Sequence, residues 1–266
     1  MLSLISFLRS SVQDNYVPYS AYTDAIKRFS CSFREVETAV FNEGWMPRRY
    51  HRNQHSLSQK DQAKLFHAHV LIFGCGGLGG NVAEFLARCG IGTLTLVDGD
   101  VYEEHNLNRQ NFSTPATLGM AKANVVSDAL MRINPALQVN ALHRYFDSTM
   151  LDVLNGKDVV VDALDSPEVK LLLASTCKTQ KISFVHCAIA GWIAQCTTST
   201  NLSYLYKESG KGAEANRGNL SFTASLGASM QAALVVKILL GKETLDDTLW
   251  MIDFNDNESI QIPMKI

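Results

Sequence analysis

Between Gly74 and Asp100 the chain reads GCGGLGGNVAEFLARCGIGTLTLVDGD, directly after the apolar run HVLIF. This is a strand, a glycine-rich turn, a helix and a second strand ending in acids. Glycines permit the tight turn and let backbone N–H groups come close to a phosphate at the N-terminus of the following helix. Gly74, Gly76, Gly77, Leu78 and Gly79 form that loop, with Asp98 and Asp100 at the end of the next strand. A GxGxxG-type run is weak evidence alone, but the flanking strand, helix and acid are its confirming context. The stretch therefore predicts a nucleotide site in which Asp98 accepts hydrogen bonds from ribose hydroxyls. It does not by itself separate ATP from NAD. The GxGGLG spacing departs from the usual dinucleotide pattern, and glycines serving only close helix–sheet packing are the alternative to a nucleotide site.

The remaining chain sets the fold class. LTLVD, LQVNAL, DVVVDAL and ISFVHC follow as further strands, with helical stretches between them. That alternation predicts an α/β fold: a Rossmann-like, mostly parallel twisted sheet with helices on both faces. Ile133-Asn134-Pro135 closes one helix, and Ser166-Pro167-Glu168 opens another with a cap, a first-turn proline and an acid. WIAQCTTST reads as a later strand. LSFTASLGASMQAALVVKILLG reads as a long buried helix ended by Gly241 and packed on the sheet and a second subunit. Residues 1–60 are polar and hold two or three short helices, one with a Ser32/Glu35 capping box and a Gly44 stop. The expected division is an N-terminal helical extension, 1–60, and a nucleotide-binding domain, 61–266.

Composition narrows the partners. With 266 residues, 46% of them hydrophobic, the chain can bury a full α/β core. A net charge of -2 gives no general attraction to nucleic acid or to an anionic membrane, so phosphate binding must come from individually placed Arg and Lys. The six cysteines form no CxxC pair and are expected to pack as small buried thiols. MLSLISFLRSS lacks a basic leader and an A-x-A site and reads as an amphipathic start. No uninterrupted run reaches the roughly 18 apolar residues of a bilayer span, so a cytoplasmic location is expected.

Beyond Asp98 comes DGDVYEEHNLNRQNF, dense in polar side chains where a strand ends. Groups outside the carboxyl ends of parallel strands face the ligand crevice, so Asn106, Arg109 and Gln110 are expected at the phosphates, with Lys122 from the next helix and Asp165 opposite. A carboxylate attacking an α-phosphorus forces two anions together. Catalysis is then mostly positioning and charge stabilisation, which Arg109 and Lys122 supply while Asp165 holds Mg²⁺. No general base is needed, because a carboxylate is already ionised. An NAD enzyme would need less positive charge and a proton donor.

GCGGLGG, LARCGIGTLTLVDGD, NLNRQNF, LGMAKA, INP and VVVDALDS together resemble the ThiF/MoeB/HesA family of adenylyltransferases, relatives of ubiquitin-activating enzymes, over roughly residues 47 to 254. SFREVETAVFNEGWMPRRYHRNQHSLS further resembles the HesA-type branch. The resemblance implies ATP-dependent adenylation of the C-terminal glycine of a small ubiquitin-like (β-grasp) sulfur carrier ending in Gly-Gly, with release of pyrophosphate and sulfur delivered by a separate donor protein. It implies a ribose role for Asp98, phosphate roles for Asn106, Arg109, Gln110 and Lys122, and a magnesium role for Asp165. Arg52 resembles an arginine that reaches across a homodimer into the partner's site. The two CxxC pairs that bind zinc in many relatives are missing, so no zinc is expected. The loop from Asn201 to Asn219 holds no cysteine, and Cys187 and Cys196 read as core residues. That loop could close over the carrier tail, with Arg217 a candidate contact for an acidic carrier surface. A non-catalytic nucleotide-binding scaffold is the alternative.

Overall fold

The computed structural model describes residues 3–206 and 217–264. Its centre is an eight-stranded sheet built around His69–Phe73 (β3), which pairs in parallel with Thr93–Val97 (β4) on one side and Val159–Asp162 (β6) on the other. Gln138–Leu142 (β5) extends the parallel part beyond β4, and Ser183–Ala190 (β7) extends it beyond β6. Ile193–Thr197 (β8), Thr248–Asp253 (β9) and Glu258–Pro263 (β10) then continue antiparallel, giving the order β10-β9-β8-β7-β6-β3-β4-β5. The sheet is thus mostly parallel, as expected, with an antiparallel wing whose last two strands the sequence reading did not foresee.

Val70, Leu71, Ile72 and Phe73 are all fully buried, which is why this run is apolar at every position and not at alternate ones. Gly79–Cys89 (α5), Lys122–Ile133 (α6) and Pro167–Gln180 (α7) are the crossover helices. Asn134 caps α6 and Pro167 occupies the first turn of α7, though the Ser166 side chain makes no capping bond. The long helix Ser221–Leu240 (α8) ends at Gly241 in the left-handed region. By length and composition it could cross a bilayer, against the expectation that no segment would qualify. Here Ala224, Ala228, Leu234 and Val235 are buried in the core it shares with α5, β7 and β8.

Leu4–Ser11 (α1), Tyr19–Phe29 (α2) and Phe33–Asn42 (α3) carry their own small core of Leu8, Val17, Tyr22, Val36 and Val40. The Ser32/Glu35 capping box forms, and Gly44 turns at φ +74°. Two short strands, Tyr16–Val17 (β1) and Met46–Pro47 (β2), pair in parallel and lead into a 3₁₀ turn, Arg48–Asn53. Gln59–His67 (α4) follows, running across residue 60. The buried Glu37 carboxylate is paired with Arg49 and reached by the Tyr50 hydroxyl.

Arg34 ties these helices to the sheet. Its guanidinium donates to the Gly92 carbonyl and to Thr93 Oγ1 at 3.2 Å, and lies over the Phe66 ring. Arg34→Ala should lower stability by about 2 kcal/mol, read as a shift of the urea midpoint, because charge-assisted bonds and stacking are both removed. An unchanged midpoint would mean that the helices dock without it.

Candidate active site

The loop after β3 is closed by backbone contact. A Cβ on Gly79 would sit 1.8 Å from the Gly74 carbonyl oxygen, and one on Gly74, at φ +92°, would sit 2.4 Å from the Ala163 oxygen. Glycine is therefore required at both positions by sterics. This closeness seats the start of α5 against the ends of β3 and β6 and opens a cavity of about 530 Å³ at the carboxyl rim of the sheet.

Most of the residues expected at the site meet in that cavity. Gly74, Gly76, Gly77, Leu78, Asp98, Asp100, Arg109, Gln110, Lys122 and Asp165 all line it. Asp98 is more occupied than the sequence suggested: its carboxylate accepts the Cys75 N–H at 2.6 Å and the Asp100 N–H at 2.8 Å, which braces the glycine loop. Burial pushes the Asp98 carboxyl above its ordinary value, against the pull of those donors and of Lys122. Lys122 Nζ lies 2.9 Å from Asp100 Oδ2, and the Tyr145 hydroxyl donates to Asp100 Oδ1 at 2.8 Å. Burial alone would raise the Asp100 carboxyl, but Lys122 and Tyr145 outweigh it and hold it below the usual range. The Arg109 guanidinium is folded onto its own turn, donating to the His105 carbonyl at 2.9 Å and to Asn108 at 2.7 Å.

Three expected residues do not line the cavity, the first being Gly79, which is packed against the Gly74 carbonyl and Ala163. Asn106 is buried and does not line the cavity; its side chain accepts the Glu103 N–H at 3.0 Å and closes the turn that carries Arg109. Arg52 borders a separate hollow of about 310 Å³ with Gln13, Asp14, Tyr16, Arg48 and His51. The adjoining Tyr50 packs at Gly90 and Asn134, the far ends of α5 and α6, so within one chain Arg52 and Asp165 are at opposite rims of the sheet. Ten residues of the expected lid, 207–216, lie outside the described residues; Arg217 is exposed beside Gly191.

Several lining residues were not anticipated. Arg144, Tyr145 and Phe146 follow β5, and the rule that strand ends face the crevice would have found them. Lys170, Tyr206 and Asn219 carried no signal, being brought in only by tertiary folding. The Asp165 carboxylate is exposed and makes no hydrogen bond among the described residues, which suits one oxygen ligand of a Mg²⁺ that otherwise keeps phosphate and water. No cluster of three or more His, Cys, Asp or Glu side chains fit to hold a metal occurs among the described residues.

The cavity's described lining contains no Ser, Thr, Cys or His. Cys187 and Cys196 face each other across β7 and β8, fully buried, and burial drives the Cys196 thiol up. The described lining thus offers cations, backbone donors and the Asp165 carboxylate, without a hydroxyl, thiol or imidazole nucleophile of the Ser, Thr, Cys or His kind.

The ThiF family model matches residues 50–265. The chain belongs to the ThiF family. The SAMP-activating enzyme E1 of Haloferax volcanii is 31% identical over 229 residues, covering 82% of this chain and 85% of that protein. The molybdopterin-synthase adenylyltransferase of Salmonella typhimurium is 36% identical over 140 residues, 52% of this chain and 56% of that protein, so the match spans only about half of each. This ThiF-family chain is an enzyme of the E1-like adenylyltransferase type. The crystal structure of E. coli MccB with ATP superposes with a TM-score of 0.71 at 22% identity, covering 91% of this chain and 82% of MccB, which establishes the shared fold.

Beneath the cavity, His186 is fully buried with Nδ1 2.7 Å from Asp162 Oδ2. Burial, reinforced by Lys170, lowers its pKa, so the fold holds a neutral imidazole while the unfolded chain binds a proton below about pH 6.5. Stability must then fall as pH drops through that value, by up to about 1.4 kcal/mol per pH unit from this residue. Urea unfolding at about pH 7 and about pH 5.5 should show a steeper loss for the wild type than for His186→Asn, which keeps a donor to Asp162 but cannot titrate. Equal losses would mean that the ring is already charged in the fold.

Proposed function

We propose that this enzyme uses ATP to adenylate the C-terminal glycine carboxylate of a ubiquitin-like, β-grasp sulfur carrier ending in Gly-Gly. The supporting observation is the rim cavity that gathers the glycine loop, Arg109, Gln110, Lys122 and Asp165, with no Ser, Thr, Cys or His in its described lining. The carrier's carboxylate oxygen attacks the α-phosphorus as the bond to the bridging oxygen breaks and pyrophosphate leaves. The loop N–H groups, Gln110, Arg109 and Lys122 hold the phosphates and offset the charge gathering on the equatorial oxygens. Asp165 would hold a Mg²⁺ ion, which would supply neutralisation of the phosphate charge. Asp98 positions the ribose, and Asp100 releases Lys122 to the phosphates. Asn106 supports this arrangement through the turn carrying Arg109.

In this reading residues 61–266 are the adenylation domain and 1–60 its helical extension. The sulfur comes from a separate donor protein, because the cavity's described lining has no cysteine. The enzyme works as a homodimer in the cytoplasm, each Arg52 serving the partner's ATP.

Exchange of labelled pyrophosphate into ATP should require both Mg²⁺ and the carrier, and Lys122→Ala should lower it about 100- to 1,000-fold, the usual loss when one preorganised donor is removed. Normal ATP binding without exchange, given a cognate carrier, would leave a scaffold and no adenylating enzyme.

Mixing inactive Arg52→Ala with inactive Asp165→Asn should recover exchange in the mixed dimers, where one site receives an intact arginine and keeps its own Asp165. No recovery in mixtures that demonstrably exchange subunits would remove Arg52 from the site.

A further inference from the structure

Beside the cavity, on the β6–β7 side, lies a buried charge cluster that the adenylation chemistry above does not use. Asp162 at the end of β6, Lys170 on α7 and His186 on β7 are 0%, 3% and 0% exposed. The Asp162 carboxylate accepts the His186 ring at 2.7 Å on Oδ2 and the Leu164 N–H at 3.1 Å on Oδ1. Lys170 Nζ stands 3.5 Å from that same Oδ1, the longest contact of the three. Burial alone would raise the Asp162 carboxyl, but Lys170 and His186 hold it below its usual range. The ionised carboxylate needs a proton on Nδ1 of the neutral ring, so Nε2 accepts from the Tyr206 hydroxyl, 3.1 Å away.

The consequence is an ammonium group left short of partners. Lys170 carries three donors, yet the 3.5 Å contact is its one hydrogen bond among the described residues, apart from its approach to the Tyr206 ring. A buried cation in that position is costly unless something else meets it. Lys170 lines the cavity, whereas Asp162 and His186 do not. The pair is therefore oriented with its positive end toward the ligand space and its negative end in the core.

Sheet order indicates which ligand this end faces. Lys122 and its partner Asp100 belong to the β4 side of the glycine loop. Lys170 belongs to the β6–β7 side, where Asp165, Ala188, Ile189 and Tyr206 form the lining. Two cations on opposite sides of one phosphate loop suit a reaction that joins two anions, one held on each side.

We propose that Lys170 binds the attacking carboxylate of the acyl substrate, with Asp162 and His186 as its positioning residues. This rests on the adenylation reading. During attack one carboxylate oxygen bonds to phosphorus, pyrophosphate leaves with the electron pair of the broken bond, and no proton moves. Lys170 stays an ammonium, facing first a carboxylate oxygen and then the carbonyl oxygen of the mixed anhydride.

The test is calorimetric binding of ATP and of glycylglycyl-sulfamoyl-adenosine, a stable mimic of the acyl-adenylate, to the full chain. Lys170→Met should weaken the mimic about 10- to 100-fold while leaving ATP within about twofold, and Lys170→Arg should recover part of the loss. Lys170→Met leaves a buried carboxylate unpaired, so the double variant Asp162→Asn with Lys170→Met provides an uncharged version of the same volume. It should lose the mimic to the same extent. Equal weakening of both ligands would assign Lys170 to the phosphates, and no weakening would leave it as a counter-ion of Asp162; either overturns the proposal with adenylation intact. A wild type that binds the mimic no better than AMP overturns the adenylation reading and the proposal together.

Discussion

Contact between two backbone segments underlies everything at the rim. Because nothing larger than hydrogen fits between Gly79 and the Gly74 carbonyl, the first turn of α5 can start directly above β3. Gly76, Gly77 and Leu78, just ahead of that turn, then line the cavity at the point where sheet order changes direction, between β4 and β6. A longer side chain at either glycine would lift the helix away and separate the glycine loop from the residues on neighbouring strands.

Polar groups are then distributed by strand order. The β4 side supplies Asp98, Asp100 and the paired Lys122; the β6 side supplies Asp165 and, through α7, Lys170. Residues with no ligand-facing role still matter to those that have one. Asn106 closes the turn from which Arg109 projects, and Asp162 accepts the Leu164 N–H in the turn leading to Asp165. The antiparallel wing and α8 finish the core, with Gln231 donating to the Asp162 carbonyl at 2.7 Å.

Much of this was legible in the chain. Apolar runs marked β3 and β6, the LTLV stretch marked β4, and the Ser32/Glu35 and Gly241 signals marked helix ends that form as read. The glycine loop, its following acid and the Arg109–Gln110 pair were readable because local geometry dictates them. β9 and β10 were not, since the exposure of β10 removes the alternation that identifies a half-buried strand. Asn106 was misplaced because sequence proximity to Arg109 says nothing about which way a side chain turns. His186 and Tyr206 meet across 20 residues and Lys170 reaches Asp162 across a helical turn; such pairs exist only after the sheet is assembled.

The ion pair between Lys122 and Asp100, with Tyr145 bonded to the same carboxylate, gives the crevice an internal partner for its lysine. Part of its positive potential is thereby cancelled before any ligand arrives. A small stray anion offers too few contacts to break that pairing, while a polyphosphate can exchange one carboxylate for several oxygens. A lysine paired in this way favours an anion that engages several donors together over one that meets the lysine alone.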